Sequence, residues 1–180
     1  MRRLHWWLLA SLCLAFPASA NDSMSSILSA SVGEWAGQLY YLDYQSGERF
    51  GIPMTVSASM TPDGATLKRD LTFTDPGVLV YAVNLTAVDR DTGELVEAYF
   101  REGRGELLRY DIVDATFEGP GRWRLVYEQD GIDDGRPARI RHTIERRGSS
   151  MDSKKEVRFA DSNGGFFLRN GSELALTDAD

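Results

Sequence analysis

Cysteine is almost missing from this chain: Cys13 is the only one, and it lies in the apolar run near the start. Downstream of Ala20 this excludes a disulfide, a thiol nucleophile and a thiolate metal site, so stability has to come from burial alone. Histidine is nearly as scarce. His5 belongs to the leading segment, which leaves His142 as the one imidazole in the body of the chain. Zinc requires three or four ligands, so a single imidazole without thiolates predicts no metal site. A Gly-x-Ser-x-Gly elbow is absent, and His142 would have to fill every base role in a hydrolase, so the chain reads as non-enzymatic.

Positive charge is also short, with 20 Lys and Arg against 27 Asp and Glu. Arg2 and Arg3 belong to the leading segment, and without them 18 stand against 27, a net charge of −9. Such a balance excludes nucleic acid and anionic lipid surfaces as partners, since both reward a basic face.

What is present begins with Met1-Arg2-Arg3, an apolar stretch from Leu4 to Phe16, and Ala18-Ser19-Ala20. A basic start, a short apolar run and an Ala-x-Ala ending describe a secretory signal peptide over residues 1–20, cleaved after Ala20. The apolar run is shorter than the ~20 residues that cross a bilayer, so no stable membrane insertion is expected. The product is then periplasmic or secreted. Residues 21–32 are serine-rich and read as a flexible lead-in, with Ile27, Leu28 and Val32 able to form one helical turn.

From residue 33 to residue 180 the pattern has period two, broken by turn signals about every ten residues. The first strand runs from Gly33 to Tyr44. In Arg49–Met60 the residues Ile52, Met54, Val56, Ala58 and Met60 share a face, and Leu67, Arg69, Leu71 and Phe73 share the next. Val78–Val88 is apolar on both faces and reads as the best-covered strand. Trp123, Leu125 and Tyr127 share a face, as do Ile140, His142 and Ile144, with residues 130–137 between them as a polar, solvated loop. This predicts a single all-β domain: an antiparallel up-and-down meander of nine or ten strands, closed or nearly closed into a barrel. The alternative is a two-sheet sandwich. Short turns favour pairing of chain neighbours, and closure removes the exposed edges of so long a meander.

Gly33-Glu34-Trp35, at the head of such a meander, resembles the Gly-x-Trp opening of the lipocalins and the wider calycin group. The resemblance implies a barrel in which the Trp closes one end and a late-strand Arg covers its ring; the style of the signal segment makes it an exported bacterial one. Arg169 is the residue carried over for that role, with Arg158 as competitor. A barrel of this size can enclose one small molecule, so the interior is expected to hold a small apolar or amphiphilic ligand.

An inward Arg69 demands a partner, because an unpaired buried charge is costly. That partner is either a ligand carboxylate, with Tyr127 or Tyr99 adding a hydroxyl, or an acidic side chain of the protein. His142 is set between haem ligation and a buried, hydrogen-bonded neutral imidazole; the latter is expected, and no cofactor is assigned. The ligand-site candidates are Arg69, Tyr99, Tyr127 and His142. The competing reading is an envelope structural or interaction module whose barrel is filled by its own side chains.

Overall fold

A computed structural model describes residues 20–43 and 46–177. The expected signal segment lies outside them except for Ala20, and so does Tyr44. A helix, α1 (Ala20–Ala30), precedes ten strands: β1 (Gly33–Leu42), β2 (Arg49–Met60), β3 (Thr66–Asp75), β4 (Val78–Val88) and β5 (Leu95–Arg101). They continue as β6 (Arg104–Gly119), β7 (Arg122–Asp133), β8 (Arg136–Arg147), β9 (Ser150–Phe159) and β10 (Phe167–Leu176). Each strand pairs antiparallel with its chain neighbours, and β1 pairs with β10, which closes the barrel. The sandwich alternative is excluded.

Turn chemistry explains the neighbour pairing. Glu102-Gly103 and Asp134-Gly135 are two-residue connections in which both residues take positive φ, the backbone whose twist matches paired strands. The second of these corrects the expected loop over residues 130–137. Strand β7 runs through to Asp133, β8 starts at Arg136, and Asp133 is buried rather than solvated.

Alternation along the strands sets the interior. Met54, Val56 and Ala58 of β2 are buried, as are Leu67 of β3 and Trp123, Leu125 and Tyr127 of β7. They form one core with Trp35, Leu95, Met151 and Leu174. Strand β4 departs from expectation. Ala82, Asn84 and Thr86 are buried, but Leu79 and Tyr81, which alternate onto the outer face, are 55% and 63% exposed, and Val78, ahead of the first β5 pair at Ala82, is 60% exposed.

The expected flexible lead-in is a docked helix. Met24, Ile27 and Leu28 fall at i, i+3 and i+4, one helical face, and all three are buried against the core, with β6, β3 and β7 beneath. Its C-terminal carbonyls are taken up one by one. Ser31 donates through its hydroxyl to Ile27 O and through its backbone N–H to Leu28 O; Val32 N–H reaches Ser29 O. Arg146 donates to Ala30 O, and Trp35 Nε1–H donates to Ser31 O at 3.1 Å. A helix end buried with its carbonyls satisfied is a fixed element of the fold.

Trp35 is 1% exposed and lies at the helix-covered end of the barrel. The cation over its ring is Arg146, 4.9 Å from the centroid, not Arg169. Arg169 binds Asp133 through Nε at 2.7 Å, next to the β7–β8 turn at the opposite end. The reason is register. Arg146 sits opposite Trp123 and Met151 near the start of β9, whereas Arg169 lies at a bulge between Leu168 and Asn170 near the start of β10.

Candidate functional site

A cavity of about 500 Å³ occupies the barrel interior. Trp35 and Ser31 bound it on the α1 side, and Leu39, Met54, Val56, Leu71, Phe73 and Ile144 give it an apolar wall. All four candidate ligand residues, Arg69, Tyr99, Tyr127 and His142, line it. The sheet register distributes them between two polar groups that meet at Tyr110, whose ring packs on Tyr127 and His142 and whose hydroxyl lies at Glu97.

The first group lies on β3, β4 and β5. Arg69 faces Asn84 across the β3–β4 pair, and Asn84 faces Tyr99 across β4–β5. Arg69 Nη2 donates to Asn84 Oδ1 at 2.7 Å, Thr86 Oγ1 at 2.5 Å and Glu97 Oε1 at 3.0 Å. The partner that Arg69 demanded is therefore Glu97, an acid of the protein. Thr86 in turn donates to Asn84 Oδ1 at 2.8 Å. Burial raises the Tyr99 phenol above its usual range, opposed by the charge of Arg101 and a hydrogen bond to it.

The second group crosses four neighbouring strands. Tyr127 faces His142, His142 faces Lys155, and Lys155 faces Asn170. The rings of Tyr127 and His142 stack at 5.0 Å with 9° between planes, and Tyr110 packs edge-on against both. Lys155 reaches Asp133 at 3.3 Å, the same carboxylate that Arg169 binds. Neither Lys155 nor Arg146 stands out in the sequence as a site residue, and Asp133 reads there only as part of a solvated loop; Lys155, Asp133 and Arg146 nonetheless all bear on the interior. The first and last have a periodic signal, since Lys155 keeps step with Val157 and Arg146 with Ile144.

Burial holds the Tyr127 hydroxyl protonated well above its usual range. It lowers His142 from 6.5 to about 4, helped by the nearby charge of Lys155. The neutral imidazole was expected; the hydrogen bond to it was not found. Neither ring nitrogen of His142 bonds a protein group among the described residues, and its contacts are aromatic. Two other donors in wall residues, Arg69 Nε–H and Trp123 Nε1–H, are buried without partners, a rare condition in folded proteins.

The depressed pKa of His142 predicts a pH dependence. Below pH 6.5 the unfolded chain takes up a proton that the folded one refuses until about pH 4, so stability falls as pH drops through that window and is level above it. The full gap corresponds to about 3 kcal/mol, and partial access to the cavity reduces it to about 2 kcal/mol. Urea denaturation between pH 7 and pH 5 should show the slope, and His142→Phe should flatten it.

No protein-family model matches the chain, and no curated protein sequence matches it. Among solved structures it is similar to that titled "Crystal Structure of Rv2717c from M. tuberculosis", at 12% identity with a TM-score of 0.53. The match covers 89% of this chain and 98% of that one. At this identity the likeness shows the fold alone.

Proposed function

We propose that this chain is an exported, non-enzymatic binding protein that holds one small apolar or amphiphilic molecule inside its barrel. The observation that carries the reading is the interior cavity. Its volume of about 500 Å³ falls within the range of roughly 300–1,000 Å³ typical of small-molecule sites, and its wall is mainly apolar with a few placed polar groups. A packed protein interior leaves few voids larger than a water molecule, so open volume of this size calls for an occupant. Export rests on the signal pattern of residues 1–20, and the mature protein should have Asn21 as its first residue by intact mass.

Native mass spectrometry of the protein purified from its own host is the direct test. A bound small-molecule mass supports the reading; a clean apo spectrum argues against it. Filling the cavity gives a second test. Ala58 is 5% exposed and lines the cavity, so Ala58→Phe projects a ring into open space. The variant should lose ligand while its far-ultraviolet circular dichroism and thermal midpoint stay near wild type, since overpacking costs about 1–3 kcal/mol only where no space exists.

The interaction-module reading keeps one observation in its favour. Eight large apolar residues, Tyr41, Phe50, Val78, Leu79, Tyr81, Phe100, Leu107 and Ile132, are exposed around the barrel end away from α1. A filled barrel is harder to reconcile with the cavity.

A further inference from the structure

We propose that the ligand presents an uncharged polar group, a hydroxyl or a carbonyl, to the stacked pair of Tyr127 and His142. The inference rests on the binding reading above and specifies the chemistry of the occupant.

The charged side chains of the two polar groups already engage one another, three cations on two acids. Arg69 spends Nη2 on Asn84, Thr86 and Glu97, and Lys155 and Arg169 share Asp133. A ligand carboxylate that took Nη2 of Arg69 would leave Glu97 buried without its cation, whereas one that took Lys155 would leave Asp133 to Arg169 alone. An ammonium would face the converse problem, since both acids are taken.

The Tyr127 hydroxyl and the His142 nitrogens are different. They line the cavity, have no protein hydrogen-bond partner among the described residues, and are not sealed like Arg69 Nε and Trp123 Nε1. Stacking fixes the two rings in parallel planes, so their polar atoms are set before a ligand arrives. Burial keeps the tyrosine protonated and the imidazole neutral. The pair therefore offers an O–H donor and an imidazole able to donate at one nitrogen and accept at the other. A hydroxyl or carbonyl meets this pair without importing charge, whereas an ion gives up its hydration for two neutral partners.

The test is calorimetry on the mature chain near neutral pH with three probes of one chain length: decanol, decanoate and decylammonium. Decanol should bind at least about tenfold more tightly than either ion. Tyr127→Phe should weaken decanol about tenfold and leave the thermal midpoint unchanged, because the lost hydroxyl has no protein partner. A decanoate or decylammonium affinity equal to or above that of decanol overturns the neutral-group inference and leaves the carrier reading standing. Failure of all three probes to bind removes the carrier reading itself. A Tyr127→Phe variant that keeps decanol affinity, or that loses stability instead of affinity, shows that the hydroxyl serves the fold and overturns its assignment to the ligand.

Discussion

Replacing Trp35 by alanine will destabilise the barrel by about 3–5 kcal/mol in urea denaturation, the range for deleting a large buried aromatic. Three losses coincide at this position. The ring is 1% exposed, so its removal empties the end of the core beneath α1. Its Nε1–H satisfies Ser31 O, a carbonyl just beyond the helix to which no other described residue donates. It is also the surface on which the Arg146 guanidinium rests while bonding Ala30 O. Trp35→Phe separates these effects. It keeps an aromatic ring and loses the hydrogen bond, so it should cost about 1–2 kcal/mol. A Trp35→Ala cost below about 1 kcal/mol would mean that the ring is not what fixes the helix to the barrel.

Arg69→Ala should cost about 3–4 kcal/mol, and the cause lies with Glu97. The pair is 21% and 11% exposed in its side chains, and Arg69 also bonds Asn84 and Thr86. Removing the cation strands the carboxylate among Thr86 and Tyr110 inside the barrel, and leaving one member of a buried pair is far more destabilising than removing both. The double variant Arg69→Met with Glu97→Leu should therefore recover most of the loss. If the double variant is as unstable as the single one, the pair is not the source. The same pair of variants bears on ligand binding. An Arg69 that acted on a ligand would show a loss of affinity that the stability-restored double variant does not repair.

Much of this architecture can be read from local chemistry. Gly103, Gly135 and Gly77 supply positive φ at hairpin turns, and each marks a reversal. Period two in Arg49–Met60 assigned the inward face correctly, because every second residue there is apolar. The same alternation placed Arg69, Tyr99, Tyr127 and His142 in the wall. What alternation does not carry is register between strands, so it could not show that these four divide between two neighbouring groups within the one cavity. The Trp35 cover failed for the same reason: Arg146 and Arg169 are both on late strands, and only pairing shows which reaches the helix-covered end. The helix was missed because serine dominates its composition, although Met24, Ile27 and Leu28 carry the spacing of a buried face. Asp133 looked solvated because its neighbours in sequence are polar. Its neighbours in space are Lys155 and Arg169, and those bonds hold its carboxyl below the usual range against the opposing effect of burial.

The closure between β1 and β10 has a kinetic consequence. Every other pairing joins chain neighbours through a short turn and can form as a local hairpin on a microsecond timescale. Only the seam joins distant positions, Trp35 with Leu176 and Tyr41 with Asn170. It also demands close approach: a side chain at Gly37 would run into the backbone carbonyl of Glu173, 1.9 Å from where its Cβ would sit. Folding should thus accumulate an open ribbon of strands whose two free edges are the last to meet, since loop-closure entropy opposes that contact until the rest is in place. Two such ribbons at high concentration can close on each other through the same register, β1 of one against β10 of the other. The seam that makes the monomer edgeless is accordingly the place where a strand-exchanged dimer would form during crowded refolding.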